Sequence, residues 1–242
     1  MAGVVSCPRL VKWLQAIGNF VDEVLIVPED TWLTVRFMDP AHIVAVYSRL
    51  DVSEPLYDAF AINIEDLVKL LKSVKDDVQV VYDKERSKFY VRSEKFVIGV
   101  NTLDASQFSP LKELSLIFDA KTEVEIDEFA KFIKDLRKSW VDSVKFVADS
   151  QHGLRVEAKT ELSAFQRILS TPRSVEFYNG SSEVKASFMT IYLEKIANSL
   201  KLLSRPPNAY YATLELKTNR PARFTLKDTD LEFISYIASK MD

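Results

Sequence analysis

The sequence predicts an α+β chain made of two similar halves, with antiparallel sheets outside and four helices gathered on one inner face. Three observations lead there. A unit of one short amphipathic helix followed by a two-stranded segment occurs four times in 242 residues. Apolar residues recur at helical spacing in the helices and at alternate positions in the strand pairs. An aperiodic stretch, 103–113, separates the second unit from the third.

The first helix is expected over 8–20, followed by the strand pair 24–37. The second, 64–74, carries a stripe of Leu67, Leu70, Leu71 and Val74, with Lys69 and Lys72 off it. Its strand pair, 78–91, alternates through Val78, Val80 and Tyr82, then Phe89 and Val91. The third helix, 126–138, buries Ile126, Phe129, Ala130, Ile133 and Leu136. It sets Lys131, Lys134 and Lys138 on one strip by their i, i+3, i+7 spacing. The pair 144–158 follows, then the fourth helix, 191–203, and its pair, 210–226. Alternation of this kind suits antiparallel sheet with one wet face. The organisation is therefore 1–102, a linker 103–113, and 114–242. Phe108 stands in the linker with no periodic neighbour to explain it.

Composition excludes several classes. Hydrophobic residues at 47% and charged residues at 28% are ordinary for a soluble globular chain. Five glycines leave little material for a phosphate-binding loop, and one cysteine, Cys7, permits no internal disulfide. The expected role of Cys7 is a small buried hydrophobe. The only histidines are His42 and His152, and no metal-ligand spacing, P-loop or nucleophile elbow occurs. No catalytic residue, metal or cofactor is therefore expected, and Trp13 and Trp32 read as core or sheet-face residues. Without a signal peptide or an 18-residue apolar run, the expectation is a cytoplasmic chain that does not span a membrane.

Net charge is −3, which by itself points away from nucleic acid. Its distribution points the other way. The four helical segments hold ten basic residues (Arg9, Lys12, Lys69, Lys72, Lys131, Lys134, Arg137, Lys138, Lys195 and Lys201) against six acidic ones. Four of the acids sit in first turns, where the helix dipole favours them. Each helix thus offers one apolar face to a sheet and one basic face to something else. No aromatic residues interleave with these lysines, which argues against stacking on single strands. If strands of the two halves pair across the linker, the chain is a crescent whose two ends are open strand edges. Such edges tend to find partners, and a head-to-tail contact closes a ring when the rotation allows.

Several segments carry a resemblance. Phe37-Met38-Asp39-Pro40-Ala41-His42-Ile43 resembles the Met-Asp-x-x-His-Val segment of the DNA sliding clamps of eukaryotes and archaea, the proliferating cell nuclear antigen (PCNA) family. Tyr236-Ile237-Ala238-Ser239-Lys240 resembles that family's Tyr-Leu-Ala-Pro-Lys ending. The helices DEFAKFIKDLRK (127–138) and LVKLLK (67–72) match the third and second helices of the family in register. The resemblance covers the whole chain, and the short tail is similar to that of archaeal members.

The resemblance implies a DNA clamp fold and a non-enzymatic function as a polymerase processivity factor in replication and repair. The chain would be one subunit of a trimeric ring around duplex DNA, homo- or heterotrimeric, joined by strands 92–100 and 162–169. It implies a sequence-independent DNA lining of Lys12, Lys69, Lys72, Lys131, Lys134, Arg137, Lys138, Lys195 and Lys201. Partner enzymes such as DNA polymerase, flap endonuclease, DNA ligase and the clamp loader would dock a short peptide. Its pocket would use Met38, His42, Ile43, Phe108, Pro110, Pro221, Tyr236, Ile237 and Ala238. Ser239 replaces the usual proline, and Gly18 and Asn198 replace usual basic residues, so the first and fourth helices would be less positive. The alternative reading is a ring- or crescent-shaped protein-interaction scaffold that does not encircle DNA.

Overall fold

A computed structural model of the chain describes residues 3–109, 111–112, 114–159, 164–207 and 209–240. The first half runs β1 (Gly3–Ser6), α1 (Cys7–Gly18), β2 (Glu23–Glu29), β3 (Trp32–Met38), β4 (Val44–Asp51), β5 (Phe60–Asn63), α2 (Ile64–Leu71), β6 (Asp77–Asp83), β7 (Lys88–Arg92) and β8 (Val97–Asn101). The second runs β9 (Ala120–Glu125), α3 (Ile126–Lys138), β10 (Ser143–Asp149), β11 (Gly153–Lys159), β12 (Ala164–Ser170), β13 (Glu176–Phe177), β14 (Glu183–Met189), α4 (Thr190–Leu203), β15 (Tyr211–Leu216), β16 (Ala222–Lys227) and β17 (Leu231–Ile237). The α+β class and the four helices are as the sequence predicts.

The repeated unit resolves into a repeated topology. In the first half β6 pairs with β1 and β7, and β7 with β8, while β2 pairs with β3 and β5, and β3 with β4. In the second half β15 pairs with β9 and β16, and β16 with β17, while β10 pairs with β11 and β14, and β11 with β12. Every pairing of the first half thus has its counterpart, and β4 corresponds to β12 as β8 corresponds to β17. Among the described residues only the two-residue β13 has no equivalent.

The halves join through sheet. β4 and β17 pair antiparallel, from Val44 opposite Ile237 to Leu50 opposite Leu231, and merge nine strands into one sheet. Their counterparts β12 and β8 end the two remaining four-stranded sheets and, among the described residues, are hydrogen-bonded on one side only.

The helices pack in a row, α2 on α1, α1 on α4 and α4 on α3. Their apolar faces and the inner faces of the sheets make one continuous core, with Trp13, Phe60, Phe89, Phe129, Phe146, Phe188, Phe224 and Phe233 fully buried. Trp13 is a core residue whose indole N–H donates to Ser48 Oγ at 2.9 Å. Trp32 lies half-buried with the Arg49 guanidinium 4.5 Å from its ring. Small residues let α1 and α4 approach: Ser199 Oγ donates to Ala16 O at 2.9 Å and accepts from Asn19 Nδ2 at 2.8 Å. Cys7 is buried, and that burial pushes its thiol up to about 11. α2 stops at Leu71 rather than 74; Lys72 caps it, and the Val74 N–H folds back to Leu71 O at 2.9 Å.

Candidate nucleic-acid interface and docking groove

The helices carry their cations away from the sheets because their apolar stripes are used in the core. Lys12, Lys72, Lys131 and Lys134 are exposed, and none has a carboxylate within 4 Å among the described residues. The other predicted lining residues are partly committed to protein contacts. Lys69 pairs with Glu65 at 2.7 Å, and that hydrogen bond raises its pKa. Arg137 reaches Glu194 at 3.4 Å and Lys201 reaches Asp127 at 3.0 Å, two ion pairs that tie α3 to α4. Lys138 lies 4.0 Å from Asp135, and the half-buried Lys195 sits over the Tyr192 ring at 5.9 Å. Arg9 is buried and points into the joint between the halves. Gly18 and Asn198 are exposed, so no cation fills those two places. A cavity of about 450 Å³ opens beside Gly18, between α1, α2 and the end of α4, lined by Gln15, Asn19, Asp22, Glu65 and Leu202.

The second predicted site lies on the opposite, outer face. Asp39, 2% exposed, organises the turn between β3 and β4. Its carboxylate accepts the N–H of Ile43 at 2.7 Å and of Val44 at 2.5 Å, and its own N–H donates to Val44 O at 2.8 Å. That turn holds His42 exposed in the left-handed region (φ 57°), with Nδ1 3.2 Å from Met38 Sδ. The tail crosses beside it. Ala238 N–H donates to Ile43 O at 2.8 Å, and Lys240 N–H donates to Ser187 O at 2.8 Å, so the tail bridges the β3–β4 turn and β14 around Ser239.

Tyr236 is not an open surface. It is 5% exposed and forms an apolar cluster with Ala45 and Phe118, to which Met38, Tyr47, Leu111, Leu114 and Ile234 add. The Tyr47 ring meets it edge-on at 5.9 Å. The end of the predicted linker and the residues after it cause this covering: Leu111 N–H donates to Arg36 O at 3.3 Å, Tyr47 Oη donates to Lys112 O, and the Arg223 guanidinium lies 4.9 Å from the Phe118 ring. Ile237 is fully buried, since alternation along β17 turns it towards the core with Phe233 and Leu231. It can therefore meet a ligand only through its backbone. Phe108 is half-buried outside the Tyr236 cluster, and Pro110 lies outside the described residues. Pro221 lines a neighbouring cavity of about 480 Å³ with Leu116, Ile117, Phe118, Lys217 and Arg220.

Sequence reasoning missed Tyr47, Leu114, Phe118 and Arg223. The signal for the last part of the crossing segment is the aperiodic run 114–118, whose apolar residues belong to no strand; β9 begins only at Ala120.

By sequence the chain matches no family model and no curated protein. By structure it superposes along its whole length on PCNA from A. fulgidus, solved with the C-terminal region of FEN-1 bound. The TM-score is 0.84 at 22% identity, covering 100% of this chain and 99% of that one. The chain has the PCNA clamp fold. Entamoeba histolytica PCNA gives a TM-score of 0.84 at 20% identity, covering 99% of this chain and 98% of that one. A PCNA2–PCNA3 complex from Sulfolobus tokodaii gives 0.80 at 16% identity, covering 99% of each chain. On this fold the basic helix row and the Tyr236 cluster lie on opposite sides of the nine-stranded sheet.

Proposed function

We propose that the chain is a subunit of a sliding clamp: a ring that encircles duplex DNA without reading sequence and tethers replication and repair enzymes by short peptides. The observation that carries this reading is the pair of half-paired strands, β8 and β12. They are the duplicates of β17 and β4, which already pair inside the chain. Repeating that joint between copies satisfies both edges and joins chains head to tail, the arrangement that yields a closed ring. Transferring the β4–β17 register to the equivalent positions sets Ile98 opposite Phe165. Of the expected segment 92–100, Arg92 ends β7 and the free edge is β8; of 162–169, residues 164–169 belong to β12 and 162–163 lie outside the described residues.

The exposed lysines support the DNA part. Lysine is a mobile point charge, suited to loose, salt-sensitive contact with phosphates rather than to a fixed fork. The rival reading, a scaffold that never encircles DNA, draws on Arg137 and Lys201, whose charge is used between helices. Lys12, Lys72, Lys131 and Lys134 have no such use. Docking through the Met38–His42 turn and the tail is the third part of the proposal, by hydrophobic side chains and backbone groups.

Light scattering tests assembly. Val97 and Ile168 are 62% and 57% exposed on the two edges, so Val97→Lys with Ile168→Lys spares the fold and blocks pairing. The wild type is expected at three times its 27.7 kDa chain mass and the variant at one. A wild-type monomer points to a ring completed by other clamp subunits, and a trimer indifferent to both lysines contradicts the edge-to-edge joint.

A further inference from the structure

The α3 lysine strip carries no aromatic ring, yet one indole stands at its end. α3 closes in a Schellman turn. Trp140 N–H donates to Arg137 O and Val141 N–H to Leu136 O, each at 3.1 Å, with Val141 and Leu136 both buried. The residue between takes φ 58°, the left-handed position that glycine usually fills because a Cβ is crowded there. Tryptophan gains no burial in return. It is 88% exposed, more than any other large apolar residue described. Neither backbone preference nor packing accounts for it.

Its surroundings define a ligand. Met189 and Ile191, 38% and 42% exposed, flank Thr190, whose N–H donates to Asp142 O at 2.9 Å and whose hydroxyl donates to Val141 O. Two further exposed apolar side chains therefore sit on the segment that is hydrogen-bonded to Val141 and Asp142, just after Trp140. The helix before Trp140 presents Lys131 and Lys134 without ion pairs, and Lys138; the nearby acids are Asp135, Asp142 and Glu194, the last held by Arg137 at 3.4 Å. A flat apolar ring beside mobile cations fits a ligand with π-faces on a phosphate backbone. Bases inside a duplex are covered by their neighbours, so the ligand must offer an unpaired one.

We propose that Trp140 stacks on an unpaired nucleobase whose backbone lies along the α3 lysines, so that the chain binds single-stranded DNA at a duplex junction. This rests on the reading that the α3 strip meets phosphates. Trp13 is buried and Trp32 half-buried, so the long-wavelength emission belongs to Trp140, and a short oligothymidylate quenches it. By anisotropy of the labelled oligonucleotide, Trp140→Ala weakens binding about ten-fold or more, and Trp140→Phe restores most of it. Trp140→Gly also loses binding yet raises Tm, because it relieves the left-handed residue; a merely structural tryptophan would not separate the two. Lys131→Ala with Lys134→Ala weakens binding and flattens its salt dependence. Unquenched emission, or equal affinity of wild type and Trp140→Ala, overturns the proposal. So does stronger quenching by an oligoglutamate peptide, which would assign the patch to a protein. Failure of the clamp reading appears separately, as wild-type chain not retained on sealed duplex circles, where Trp140→Ala is expected to behave as wild type.

Discussion

Arg9 and Asp228 form a buried ion pair across the joint of the two halves, with Nη2 2.9 Å from Oδ2 and side chains 7% and 2% exposed. Arg9 also reaches Asp230 at 2.9 Å and donates to Leu203 O at 2.8 Å. The first helix is thereby anchored to the last hairpin and to the end of α4. Truncating one partner leaves the other charged, buried and unpaired, which costs about 3–5 kcal/mol. Arg9→Ala is expected to lower the unfolding free energy by about that much, and adding Asp228→Ala to recover part of it. Denaturant titration of the two variants measures both.

The unpaired lysines should act on DNA without acting on assembly. Reversing Lys72, Lys131 and Lys134 to glutamate together is expected to weaken loading and retention on DNA while the scattering mass stays that of wild type. Neutralising one of them should shrink the slope of log affinity against log salt by about 1. Unchanged retention in the triple variant would remove these helices from the DNA interface.

His42 and Tyr236 should separate binding from stability. His42 is exposed and Tyr236 buried. His42→Ala is expected to leave stability within about 0.5 kcal/mol, while Tyr236→Ala costs about 3–5 kcal/mol as a buried aromatic truncated to alanine. Together they should abolish binding of a peptide carrying glutamine and two aromatics. Calorimetry and thermal melts check the two halves of the statement, and normal affinity in the double variant contradicts the docking assignment.

Asp149 gives one pH dependence. Partial burial pushes its carboxyl up, but the N–H groups of His152 and Gln151, the His152 ring and the Arg155 guanidinium outweigh it and hold it down at about 2. The folded value lies below the ordinary one, so the contribution is complete above about pH 4 and is lost as pH falls towards 2. Asp149→Asn should flatten the acid limb of Tm against pH in that window and leave neutral pH behaviour to the other charges. An unchanged acid limb in this variant would contradict the prediction.

The fold was legible where its signals are local. Helical and alternating periods placed all four helices and the β2–β3, β6–β7, β10–β11 and β15–β16 pairs, because neighbours in sequence share those elements. The joint of Val44 with Ile237 was not legible residue by residue, since pairing across so long a separation leaves no local period. In the site, Lys131 and Lys134 could be read from spacing, but the diversion of Arg9, Arg137 and Lys201 into ion pairs depends on acids brought in from other elements. Covering of Tyr236 by Leu111, Leu114 and Phe118 was hidden for the same reason. Trp140 escaped notice because no glycine marks the end of α3.

The central claim is topological, and retention on DNA of defined ends tests it most directly. Assembled chain loaded onto a nicked duplex circle should stay bound through gel filtration at moderate salt, and should be released when a single cut makes the circle linear. Equal retention on circular and linear DNA, or loss from both at the same salt, would contradict a ring around the duplex and leave a simple binder or a scaffold.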